Sequence, residues 1–279
     1  MQNVTDFCKA IHRQHLVNET YVEISFDIAD PDALADAAAE DNGAVYISNT
    51  AQTVSGIDKN MIPYATLEQN LWLLDGGREF IPDSDYGDTG YIGNIMSGPD
   101  GSFSLIPVVD IRFSEVHEPV IPGITITWGP AYGEYAEIFK ITAYNGAAVV
   151  AEKRVEDNKS VQSVVEFDIE NYDLIRIEII KWCLPNRRPR IAEIFVGVNR
   201  IYGKSDITGY EHEQDISPIS ASAPMNRMSF SIDNSSNIYD PNNETGLSKY
   251  LMERQEMSVR YGMKISDGNI EYIPTGRFY

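Results

Sequence analysis

Ile138-Phe-Lys-Ile-Thr-Ala-Tyr-Asn-Gly-Ala-Ala-Val-Val-Ala-Glu-Lys-Arg-Val155 decides the fold. Two β-prone runs flank Asn145-Gly146, a pair that accepts the positive φ angles of a tight type I′ turn, so the stretch predicts a hairpin. Working outward, Leu105–Phe113 and Ile121–Trp128 precede it, and Ser163–Ile169, Leu174–Trp182 and Ile191–Val196 follow it. Each is short, rich in β-branched residues and bounded by Gly, Pro or Asn, with the period of two that places alternate side chains on opposite faces. Pro107 and Pro122 restrict their segments to strand starts or sheet edges, because proline has no N–H to give a ladder. Many short strands at this spacing predict an antiparallel jelly-roll sandwich rather than a βαβ fold.

Outside that stretch the signals are weaker. Residues 3–16 read as one short helix with Phe7, Cys8 and Ile11 on one side. Tyr21–Ile28 alternates as a half-buried strand. Asp30-Pro-Asp-Ala-Leu-Ala-Asp-Ala-Ala-Ala-Glu40 is helix-prone with proline in its first turn, and reads as a short exposed helix or a linker. Beyond Gly197, Asp206–Ile219 reads as extended and Met228–Asn234 as a strand entering a polar loop. Leu247–Arg254 has room for a helical turn or two. Met257–Ile265 and Ile270–Ile273 pair across Asp267-Gly268 as a hairpin, and Gly276-Arg-Phe-Tyr279 reads as a strand cut in mid-run. The expected organisation is mainly β: residues 61–200 form a jelly roll inserted in a second, smaller β-domain with short helices, built from 1–60 and 201–279.

The formal net charge is −20 at pH 7, and it is uneven: residues 1–150 hold 22 acids against 6 bases, whereas 151–210 hold 10 of each. A field of that sign repels phosphate backbones and anionic lipid, which argues against nucleic acid as a partner. Cys8 and Cys183 are too few and too far apart for a disulfide framework or a zinc pattern. No cationic-then-apolar leader pattern opens the chain, and no apolar run approaches the roughly 20 residues of a membrane helix.

Enzyme signatures are thin. His12 and His15 share a helical face but lack a third ligand, and no Gly-x-Ser-x-Gly, phosphate-loop or dinucleotide motif occurs. Glu166 and Asp168 are a pair of acids on one strand face, the raw material of a glycosidase in a chain already rich in acids. The loop Asp83-Ser-Asp-Tyr-Gly-Asp88 reads either as a cation loop or as a solvated acidic loop. Asp233, Asn237 and Asp240 read as Asx-turn formers. Glycan binding needs an aromatic face for sugar C–H surfaces and forked donors for hydroxyls. Tyr86 and Tyr91, flanked by glycines, and Asn186, Arg187 and Arg188 offer both, with Trp128 and Trp72 as core residues in the competing reading. The expected class is therefore a non-enzymatic binding protein.

Two resemblances converge on that class. The segment from about Tyr64 to Gly197 is similar to the galactose-binding-domain-like jelly roll of discoidin or coagulation-factor C-type modules. The features that carry it are Leu74-Asp75-Gly76, a Tyr91-bearing loop, Ile138–Tyr144 with Asn145-Gly146, and Arg190-Ile-Ala-Glu-Ile-Phe-Val-Gly197. It implies a ligand carried by loops at one end, where Asn186, Arg187 and Arg188 precede the last strand. For Asp75 it implies a share in a structural Ca²⁺ site, beside the plainer reading of Asp-Gly as a turn. The flanks resemble structural proteins of tailed phages and prophages of Gram-positive bacteria, on Tyr64-Ala-Thr-Leu-Glu68, Ser229-Phe-Ser-Ile-Asp-Asn234, Tyr239-Asp-Pro241 and Leu251–Gly262. That resemblance implies a tail or baseplate location, other tail subunits and host-surface glycan as partners, and no membrane insertion. A carbohydrate-binding fragment of a larger cell-wall-active enzyme is the alternative.

Overall fold

The computed structural model describes residues 5, 9–10, 13, 20–42, 49–54, 68, 89–213, 227–264 and 270–278. Its first strands are β1 (Thr20–Ala29), β2 (Ala38–Asp41), β3 (Tyr91–Ile92), β4 (Val108–His117), β5 (Ile121–Thr127), β6 (Ala136–Asn145), β7 (Ala148–Val155) and β8 (Gln162–Ile169). Then come β9 (Tyr172–Trp182), β10 (Arg190–Ile191), β11 (Glu193–Phe195), β12 (Gly197–Tyr202), β13 (Ile207–Glu213), β14 (Arg227–Ile232), β15 (Met257–Lys264) and β16 (Ile270–Phe278). The helix α1 (Pro31–Asp36) lies between β1 and β2. The chain divides into two compact units, Ala29–Val198 and Met1–Ile28 with Asn199–Tyr279.

The larger unit is an antiparallel β-sandwich, as the strand patterning predicts. One sheet runs β2-β4-β9-β6-β7, the other β11-β5-β8. Alternation sorts the faces: Val109, Ile111 and Phe113 of β4, Phe139 and Ile141 of β6, and Ile175, Ile177 and Ile179 of β9 are all buried in one core with Ile124, Ile126 and Val165 of the other sheet. Each such side chain contributes about 1.5–3 kcal/mol on burial. The residues between them carry charge outward. Asp110 lies opposite Arg176 across β4 and β9 and accepts from both Nε and Nη2 at 2.7 Å. Gly146-Ala147 joins β6 to β7, one residue on from the expected Asn145-Gly146 turn: Asn145 stays in β6 opposite Ala148, and Gly146 takes φ +57°.

Several boundaries differ from expectation. The helix-prone run Asp30–Glu40 stops at Asp36, and Ala38–Asp41 pairs with Val109–Arg112 instead. Tertiary pairing outweighs a helix propensity worth only tenths of a kcal/mol per residue. Asp30 caps the short helix by accepting from Asp32 N at 3.0 Å. At the far end of β4, His117 sits between two carboxylates, with Nδ1 3.5 Å from Asp30 and Nε2 3.2 Å from Asp36, fixing α1 to the sheet. The strand expected from Leu105 starts after Pro107, and the one expected over Ile191–Val196 divides into β10 and β11. Asp75, Tyr86, the loop 83–88, Trp72 and most of the helix expected over 3–16 lie outside the described residues.

Gly123 shows why β5 needs a glycine. Its φ is +143°, and a Cβ there would stand 2.0 Å from the Val165 carbonyl oxygen, beside a register shift between Ile121 and Gly123. Gly123→Ala is expected to destabilise the unit by about 1–3 kcal/mol, since neither the backbone angle nor the contact is relieved without moving β8. A denaturation midpoint unchanged from wild type would refute this.

The smaller unit holds the sheet β12-β1-β15-β16 and the hairpin β13-β14. Ile24, Val259 and Met263 are buried in it, and Tyr261 Oη meets Tyr210 Oη at 2.8 Å and His212 Nδ1 at 3.0 Å. The polar loop after β14 is closed by Asx turns, with Asp233 accepting from Ser235 N at 2.9 Å and Asp240 from Asn242 N at 2.8 Å.

Candidate ligand-binding site

Loops 93–107, 128–135, 156–161 and 183–189 gather at one end of the sandwich, because β4 and β6 begin there and β7 and β9 finish there. Two of them are stitched together by backbone. Ser97 N donates to Arg187 O at 2.8 Å, Asn186 N to Ser97 O at 3.0 Å, and Gly93 N to Pro189 O at 2.9 Å. The Ser97 hydroxyl accepts from Arg187 N and donates to Leu184 O. Asn186 takes φ +54°, the left-handed turn conformation that Asn tolerates well.

Beneath these loops lies a network of buried charge. Glu134 is 2% exposed, Arg190 0% and Glu68 1%. Glu134 accepts from Arg187 Nε at 2.8 Å on one oxygen, and from Trp182 Nε1 at 2.9 Å and Arg190 Nη1 at 3.3 Å on the other. Arg190 also pairs with Glu68, and Glu68 accepts from Arg188 N at 2.5 Å. The Tyr132 ring caps the Arg190 guanidinium at 4.8 Å. Tyr132 reaches it from the tight turn that Gly129 and Glu134 close with mutual backbone hydrogen bonds. Each of these buried arginines is paired with a carboxylate, which makes the burial tolerable and holds the loop ends in one arrangement.

The expected site residues separate on this frame. Tyr91 is buried in β3, paired opposite Ile191. Burial, with the charge of Asp41 behind it, pushes its hydroxyl above its ordinary value. The exposed ring expected there is therefore not found: flanking glycines gave no sign that Tyr91 belongs to a strand. Arg187 turns inward to Glu134. Arg188 and Asn186 stay at the surface, Arg188 only partly exposed. Met96, next to Ser97, and Leu184, whose carbonyl accepts from the Ser97 hydroxyl, are 47% and 42% exposed. Glu134, Arg190 and Glu68 were missed as a group, since their side chains meet across as many as 122 positions of sequence. Arg190 inside an apolar strand was the available signal. Trp128 and Trp182 are wholly buried, as the competing core reading of Trp128 had it. Glu166 and Asp168 are exposed on β8. Among the described residues, no three His, Cys, Asp or Glu are grouped as metal ligands.

No protein-family model matches the chain, and no curated protein does. Some solved structures resemble it. The lectin domain of lectinolysin, solved with Lewis B antigen, aligns over 60% of this chain and 96% of its own, at 11% identity and a TM-score of 0.37. The family 32 carbohydrate-binding module of C. perfringens NanJ, solved with galactose, covers 64% of this chain and 99% of its own, at 15% identity and a TM-score of 0.37. Chitosan-binding module 1 of a Paenibacillus sp. IK-5 chitosanase/glucanase covers 63% and 98%, at 10% identity and a TM-score of 0.33. These neighbours are carbohydrate-binding and lectin modules. The sandwich assigned to this chain rests on its own strand pairing.

Proposed function

We propose that the larger unit is a non-catalytic glycan-binding module whose ligand lies on the loops 93–107 and 183–189. The observation that carries this reading is the pinned loop end itself: an arginine and an asparagine beside exposed apolar side chains, above a network that fixes their backbone. A preorganised site loses little entropy on binding, and apolar surface next to forked donors suits the two faces of a sugar. Hydrolysis is the poorer reading, because the buried acids Glu134 and Glu68 are already ion-paired to Arg187 and Arg190. Glycan-array binding by the full chain, at micromolar to millimolar affinity, is the expected result. Absence of binding to any glycan, by a chain shown to be folded, would remove this reading.

The carrier is a phage or prophage tail or baseplate protein in our reading, with host-surface glycan as the target and the virion tail as the location. Among the described residues β12 and β16 are the outer strands of the smaller unit's sheet, which favours it, since sheet edges are where neighbouring subunits add strands. Immunogold labelling of particles released after prophage induction tests it. Particles without label would promote the alternative, a module of a larger cell-wall-active enzyme.

A further inference from the structure

The larger unit is strongly acidic, with 27 Asp and Glu against 12 Lys and Arg between residues 29 and 198. In such a field a cation normally finds a carboxylate, and here eight of the ten described ones do: Arg112, Lys140, Arg154, Lys159, Arg176, Lys181, Arg187 and Arg190 each lie within ion-pair distance of one. Among the described Lys and Arg of this unit, only Lys153 and Arg188 do not.

The two exceptions differ in kind. Lys153 is exposed on the edge strand β7, where a flexible, hydrated ammonium needs no partner. Arg188 is partly buried and held. Its Nη1 donates to the carbonyls of Gly93, at 3.2 Å, and of Asn94. Two carbonyl dipoles orient the guanidinium without neutralising it, and among the described residues the rest of its fork meets no carboxylate.

We infer that Arg188 receives the anionic group of an acidic glycan, a carboxylate or a phosphate, while the apolar lip of Met96 and Leu184 meets the sugar's C–H face. This rests on the glycan-binding reading above and specifies its ligand. A planar guanidinium matches either group through two parallel hydrogen bonds. The surrounding negative field sets the charge density: it repels closely spaced polyanions and leaves sparsely charged glycans, with one acidic group near the bound sugar, as the ligands that fit.

The test uses the full chain and matched oligosaccharide pairs: a uronic acid-terminated glycan against its carboxyl-reduced form, and a sugar phosphate-terminated glycan against its dephosphorylated form. The acidic member of at least one pair is expected to bind about tenfold or more tighter, the size of one charge-assisted hydrogen bond; which pair responds identifies carboxylate or phosphate. Arg188→Gln should abolish that preference, leaving the acidic member no tighter than its neutral partner. Arg188→Lys should retain part of it, and Lys153→Gln should change nothing. A circular dichroism melt shows that each variant is folded, the Arg188 side chain being outside the buried network. Equal binding of both members, or a preference that survives Arg188→Gln, overturns the inference while the glycan reading stands. No binding to any member overturns the inference, and the glycan array then decides the reading on which it rests.

Discussion

Replacing Glu134 by alanine is expected to destabilise the larger unit by about 3–5 kcal/mol, the cost of leaving buried charge uncompensated. The carboxylate is 2% exposed and serves three donors: Arg187 Nε, Trp182 Nε1 and Arg190 Nη1. Arg190 would keep Glu68, but Arg187 would keep no carboxylate and is itself almost fully buried. Two controls separate charge from packing. Glu134→Gln preserves the shape and one acceptor and should fall between wild type and alanine. Adding Arg187→Met to Glu134→Ala removes the stranded cation and should recover part of the loss, an interaction of more than about 0.5 kcal/mol in the cycle. All three tryptophans lie between residues 29 and 198, so tryptophan fluorescence in a urea titration follows this unit. A loss under about 1 kcal/mol would mean that the pairs are worth no more than surface ion pairs.

What the sequence disclosed follows from the range of the forces involved. Strands β4 to β9 were legible because a period of two and a two-residue turn are local properties: Ile175, Ile177 and Ile179 announce a buried face without knowledge of what covers it. The same logic failed wherever pairing at a distance decided the outcome. Ala38–Asp41 becomes a strand because β4 lies beside it, and poly-alanine composition alone points to helix. Tyr91 failed for a related reason, since Arg190-Ile191 is what makes its segment a strand. Arg187, Arg188 and Asn186 were legible as a polar loop before a final strand. Which arginine turns in and which stays out was not, because that depends on Glu134 and Ser97, loops away in sequence.

Trp128→Ala carries the second large effect, also about 3–5 kcal/mol, by opening a cavity at the centre of the core. Trp128 is fully buried, edge-on to Phe139 at 4.9 Å and to Trp182 at 6.1 Å. Its Nε1 donates to Ser163 Oγ at 2.8 Å, so truncation also leaves a buried hydroxyl without that donor. Trp128→Phe should cost less, because most of the ring volume remains. The consequence for the tip is the sharper part of the prediction. Trp182 joins the two systems: its ring packs on Trp128, and its N–H fixes the Glu134 oxygen that Arg190 shares. A cavity beside Trp182 frees that ring, so Trp128→Ala and Glu134→Ala should not add. Their coupling is expected to exceed about 0.5 kcal/mol, where independent sites agree within about 0.3–0.5 kcal/mol. Strict additivity would mean that the ion network is held by its own loops and not by the core beneath it. In that event core substitutions would leave the loop arrangement, and with it the orientation of Arg188, undisturbed.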